Sequence, residues 1–178
     1  MLSNSLRDRL DMWARGVIPR ALAYAQSLLR DRTQAEDVVQ ESLFRLLRRA
    51  DEYDLERDGV RLLFRAISNL CINETTRRKT ITSLDVAGVD EGPIPVEDRL
   101  ARLPEDELAG RELQTAISAG LERLPPLQRA ALELRALGQG KAEIAEILQI
   151  SESHAGVLVH RARLTLADDL RGMLRGAS

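Results

Sequence analysis

Three sets of polar side chains in this 178-residue sequence have spacings that suit binding chemistry. Asp37, Gln40 and Glu41 stand at i, i+3 and i+4, with Arg45 one turn on, so they share a helix face. Such a face suits charge-assisted hydrogen bonds to an Arg-rich helical partner; it also fits an ordinary solvated surface. Arg61, Arg65, Asn69, Asn73, Thr76, Arg77, Arg78 and Lys79 form polar stripes along a second helix. Arginine and asparagine bind phosphates and the edges of unstacked bases, although any amphipathic helix with arginines on its wet side has the same pattern. The third set lies in 143–163, EIAEILQISESHAGVLVHRAR, which scans as two helices and a tight turn. Ile144, Leu148, Ile150, Ala155 and Val159 are placed to meet in one small core, and Ser151 is a good N-cap for the second helix. A helix-turn-helix makes these demands and presents the N-terminal half of its second helix to base edges. A generic helical hairpin meets some of them.

The second helix of that pair is unusual for a groove reader, because its centre is Ala155-Gly156-Val157-Leu158-Val159. The candidates for its exposed face are Ser153, His154, Gly156, Val157, His160 and Arg161. Val157 can touch a thymine methyl. Ser151 and the helix start can hold one phosphate, and Arg161 and Arg163 others. This helix therefore reads DNA more by shape and apolar contact than by arginine–guanine pairs, and its intrinsic affinity is expected to be weak.

The elements that must position these residues are all helical in the sequence. Leu, Ala, Arg and Glu dominate and aromatics make up 3% of the chain. Apolar periodicity predicts helices over about 4–15, from Pro19 to about Arg30, from a Thr33–Glu36 capping box to Leu47, and over about 60–79. A polar loop, DEYDLERDG, is expected at 51–59, with Tyr53 and Asp54 available to line a base pocket. Residues 80–103 carry Gly88, Gly92, Pro93 and Pro95 without a sustained period and read as a linker. Helices resume over 104–124 and 127–137, and Gly138 and Gly140 precede the helical pair. The fold class is thus all-α, with two small helical domains, 1–79 and 104–178, joined by a flexible acidic linker over 80–103.

Charge follows the same division. Residues 1–79 carry 15 basic and 12 acidic side chains, residues 80–122 carry 3 and 10, and residues 123–178 carry 8 and 6. Two mildly basic blocks flank an acidic segment, so the net −2 conceals two potential phosphate-binding surfaces. Cys71 is the one cysteine and sits in an apolar run, as a core residue would. The two histidines, 154 and 160, are six apart and off a common face, and no metal site or cofactor is expected. The absence of a Gly-rich phosphate loop and of a nucleophile–base constellation points away from an enzyme. The acids carried in the N-terminal stretch and the lack of a long apolar run point to a cytoplasmic protein without membrane insertion.

The whole tail from Leu124 resembles region 4 of bacterial extracytoplasmic-function (ECF) sigma factors of the sigma-70 family. The matches are Leu124-Pro125 with Arg129, Glu143-Ile144-Ala145 and His160-Arg161-Ala162-Arg163. AEDVVQESLFRLLRR at 35–49 is similar to region 2.2, and LLFRAISNLCINETTRRK at 62–79 to regions 2.3 and 2.4. The resemblance implies a transcription initiation factor. Asp37, Gln40, Glu41 and Arg45 would dock on the β′ clamp helices of core RNA polymerase, and region 4 would meet the β flap. Tyr53, Asp54, Arg61, Arg65, Asn69, Asn73, Arg77, Arg78 and Lys79 would capture the −10 element of promoter DNA. Ser151, Ser153, His154, Gly156, Val157, His160, Arg161 and Arg163 would hold the −35 element. It further implies an anti-sigma factor as partner, and a linker whose Asp85, Asp90, Glu91, Glu97 and Asp98 thread the polymerase cleft. Leu62 stands where many relatives have Trp, and Gly156 and Leu158 where basic residues are common. Those departures leave open a sigma-like interaction protein or a stand-alone helix-turn-helix regulator without initiation activity.

Overall fold

The computed structural model describes the backbone of residues 4–84 and 104–176 and the side chains of residues 10–78, 110 and 113–172. Among the described residues all regular structure is helical: α1 (Asn4–Leu29), α2 (Arg32–Leu47), a 3-10 turn (Ala50–Glu52), α3 (Leu55–Leu84), α4 (Pro104–Arg123), α5 (Pro126–Ala136), α6 (Lys141–Leu148) and α7 (Glu152–Gly176). The linker residues 85–103, with Asp85, Asp90, Glu91, Glu97 and Asp98, lie outside the described residues.

The first bundle is built on helical-period apolar stripes. Val17, Ala21, Tyr24 and Leu28 of α1 face Ala35, Val39 and Leu46 of α2 and Leu63, Phe64, Ile67 and Cys71 of α3, all buried. Tyr24 lies against the Phe64 ring, centroids 5.3 Å apart and tilted by 47°. Its hydroxyl shares a 2.8 Å hydrogen bond with Ser68 Oγ, which in turn donates to Phe64 O at 2.7 Å. Burial holds the Tyr24 phenol well above its usual value, so it stays a neutral donor. Cys71 is core, its thiol pushed up to about 12 by burial.

Three sequence expectations are corrected here. The separate helices over 4–15 and 19–30 are one helix, α1, which runs through Pro19. Pro19 is exposed, and burial of Val17, Ala21 and Tyr24 on either side outweighs the lost backbone bond. The Thr33–Glu36 capping box does not form. The cap is Asp31, whose Oδ1 accepts from Gln34 N at 3.0 Å, while Glu36 pairs with Arg32. The loop over 51–59 is mostly helix: Asp54 caps α3 through Arg57 N at 3.1 Å, and Glu56 and Asp58 favour its positive N-terminal end. Gly59, read as a loop residue, is buried in α3 because the Trp13 indole lies against it. A Cβ there would sit 2.9 Å from that ring.

The second bundle packs α5 against α7, α4 against α7, and α6 against both α5 and α7. Its buried side chains include Leu124, Ala130, Leu134, Ile144, Ile147, Leu148, Ala155, Leu158 and Ala162. The two bundles are not held apart: α3 packs on α6, and α1 and α3 pack on α5, so one apolar core continues through both. Arg30–Glu122, Arg61–Glu146 and Arg20 donating to Leu137 O at 3.2 Å fasten the edges. Between them, Arg129 and Glu133 of α5 are half-buried. Desolvation lowers the Arg129 guanidinium to about 10, and the same burial raises the Glu133 carboxyl, which lies near the Ser27 hydroxyl of α1.

Candidate nucleic-acid and polymerase interface

The α6–turn–α7 unit has the geometry of a helix-turn-helix. Glu143 closes the start of α6 by accepting from Gly140 N at 2.6 Å. Gln149 ends α6 in the left-handed region at φ 57°, and Ile150 N reaches back to Ala145 O at 3.0 Å. Ser151 Oγ then accepts from His154 N at 3.2 Å and starts α7. Ala155, Leu158 and Ala162 bury one stripe of α7. Ser153, His154, Val157, His160, Arg161 and Arg163 remain exposed and Gly156 is half-covered.

On the first bundle, α2 buries Ala35, Val39, Ser42 and Leu46 and exposes Asp37, Gln40, Glu41 and Arg45 opposite them. Glu41 and Arg45 pair with each other. Phe44 and Leu47 share this outer side, 57% and 41% exposed, with the Arg48 guanidinium 5.6 Å from the Phe44 ring centroid. Burying an exposed Phe or Leu against a partner contributes about 1.5–3 kcal/mol, which makes this side a candidate contact surface.

Comparison with known families agrees with this division. Sigma-70 region 2 matches residues 13–81 and Sigma-70, region 4 matches residues 114–166. Over 145 residues the chain is 32% identical to the ECF RNA polymerase sigma factor SigW of Bacillus subtilis, spanning 79% of this chain and 77% of that one. The chain belongs to the ECF sigma factors. Among solved structures it is similar to the sigma factor RpoE in complex with the anti-sigma factor NepR from Bartonella quintana. That likeness has a TM-score of 0.73 at 21% identity and covers 92% of this chain and 97% of that one. The protein is a promoter-directing transcription initiation factor.

The structure of this sigma factor divides the −10 candidates of region 2. Tyr53, at the end of the 3-10 turn, is partly exposed, and the Arg49 guanidinium stands 5.6 Å from its ring centroid. Asp54 spends one carboxylate oxygen on the α3 cap. Arg61 pairs with Asp58 and, across the bundles, with Glu146. Arg61 and Arg65 line an open groove of about 510 Å³ together with Ala142, Ala145, Glu146, Gln149, Ile150 and Glu152. Asn69, Asn73 and Arg77 face solvent further along α3, with Arg77 paired to Glu74. Arg78 turns back to Glu74 and to Gln34 of α2. The Lys79 side chain lies outside the described ones.

In region 4, Val159 packs half-buried against the core as expected, and Leu158, which was not expected there, fills it at 6% exposure. Leu158 is therefore a packing residue and does not face the solvent side of α7. The sequence reading also missed Phe44 and Leu47. Their signal was present: both fall off the Ala35–Val39–Leu46 stripe that buries α2. Among the described residues no group of His, Cys, Asp or Glu is arranged to hold a metal, and no helix is long and apolar enough to cross a membrane.

Proposed function

We propose that the outer face of α2 docks on the β′ clamp helices of core RNA polymerase, with Phe44 and Leu47 as apolar anchors inside a polar rim of Asp37, Gln40, Glu41 and Arg45. The exposure of those two apolar side chains carries this reading. Interfaces draw most of their energy from a few such anchors surrounded by groups that exclude water. Docking brings α3 to the −10 element, where Asn69, Asn73 and Arg77 meet the displaced strand and Tyr53 stands at the end of the turn. Region 4 rests on the β flap and lays α7 along the −35 element. Neither DNA grip needs to be strong, because the polymerase links them and raises the effective concentration of each for its site. The protein works by binding and positioning, and it acts in the cytoplasm with the polymerase.

In the free chain Arg61 and Arg65 turn into the groove against α6, and Arg61 is engaged by Glu146. The closed packing therefore withholds two −10 cations, and polymerase binding must separate α3 from α6 to release them. An anti-sigma factor that grips both bundles would hold the same closed state. The solved relative in complex with the anti-sigma factor NepR, which shares the fold over 92% of this chain, supports that partner class.

Run-off transcription with core polymerase tests the reading. Addition of the protein should produce a discrete transcript from its promoter, and Phe44→Asp should abolish it while leaving the melting temperature unchanged. Equal transcript with and without the protein rejects the initiation role.

A further inference from the structure

Gly156 stands in the exposed N-terminal half of α7, and the space its side chain would occupy is taken by another residue. A Cβ placed on Gly156 would lie 3.1 Å from Lys141 Cε, 3.7 Å from Nζ and 3.8 Å from Cδ. Lys141 is the first residue of α6, is exposed, and engages in no ion pair among the described residues. Its aliphatic stem crosses α7 where the helix has no side chain of its own. The ammonium therefore emerges on the same face as Ser153 and His160, which helical spacing puts one turn to either side of Gly156. Ahead of Arg161 the exposed face of α7 carries no Lys or Arg, since Leu158 is buried and Val157 is apolar. Lys141 brings a cation to this region from the neighbouring helix.

We propose that Lys141, laid over Gly156, is a DNA-binding residue of the −35 face and takes a backbone phosphate of the promoter duplex. This rests on the initiation reading above. A phosphate is the partner of choice because an ammonium on a flexible stem acts as a point charge and lacks the planar fork that pairs with a guanine edge. In this arrangement Gly156 positions the cation by subtraction: the gap seats the lysine stem, and any side chain there pushes it away.

The test uses polymerase reconstituted with the full chain and promoter duplexes that vary in the −35 element. Lys141→Gln should weaken the complex roughly fivefold at low salt, to the same degree on every −35 sequence, and should reduce the salt slope by about 1. Losing one phosphate contact makes the deficit narrow by about 3.5-fold between 50 and 200 mM salt. Gly156→Ala should also weaken binding, by about twofold, because the methyl displaces the lysine tip. The double variant K141Q/G156K should recover most of the affinity by moving the cation from α6 to α7. Melting temperatures report whether each variant folds; the exposed Lys141→Gln decides the matter by itself if the double variant does not. Wild-type affinity and slope in Lys141→Gln, or a loss confined to one −35 base change, overturns the assignment alone. A wild-type protein that forms no promoter complex with polymerase removes the initiation reading and this assignment together.

Discussion

Tyr24, Ser68 and Phe64 illustrate how single side chains hold region 2. The phenol donates into a buried hydroxyl that is itself committed to a helix carbonyl. Tyr24→Phe deletes one buried hydrogen bond without opening a cavity and should destabilise the fold by about 1 kcal/mol in urea melts. Gly156→Ala should do the opposite: the Cβ meets only the flexible end of Lys141, so the gain in helix propensity should raise stability by roughly 0.5–1 kcal/mol even as DNA binding falls. Much at this scale was legible in the sequence. Ser151 is a cap because a short hydroxyl before an amphipathic run has few other uses, and Cys71 is core because its neighbours are apolar. Leu158 was not legible in the same way. Counting from Ala155, a helix reaches the same side at i+3 or i+4, and the packing of α7 on α5 and α6 buries Leu158 more deeply than Val159. The Lys141–Gly156 contact joins two helices and leaves no trace in the spacing along the chain.

At the scale of elements, the helices were visible as apolar periods while their ends were not. Proline suggested a break at 19, and an acid-rich run closing on a glycine suggested a loop at 51–59. Tertiary packing overrides both, through the buried neighbours of Pro19 and through Trp13 resting on Gly59. Because Pro19 is exposed and interrupts a continuous helix, Pro19→Ala should stabilise the protein by about 1–3 kcal/mol, read from thermal melts. The outer face of α2 makes the converse case. Phe44→Ala should leave stability within about 0.5 kcal/mol, since the ring is largely exposed. It should weaken polymerase binding by roughly tenfold or more in a titration of labelled protein, as loss of an interface anchor does.

For the whole molecule, composition and charge pointed to two bundles, and family comparison supports regions 2 and 4, but nothing in a linear pattern says that the bundles share a core. That packing half-buries Glu133 of α5 near α1, and the desolvation raises its carboxyl above the ordinary carboxylate value. An acid with a raised pKa in the closed state binds more protons there than when exposed. Its contribution is therefore fully present below the ordinary glutamate value and is lost as pH rises through the raised one. The closed form should weaken upward from the normal carboxylate range, and Glu133→Gln should flatten that slope in melts taken across pH. Region 2 and region 4 lie together in the free protein, and by the function proposed above they part on the polymerase. Spin labels on exposed positions of α3 and α6, placed at Asn69 and Ala142, measure this directly. One short distance is expected for the free chain, and a distance longer by tens of ångströms, roughly the span from a −10 to a −35 site at ~1.7 Å per phosphate of duplex axis, once core polymerase is added. An unchanged short distance in a transcriptionally active complex would contradict it.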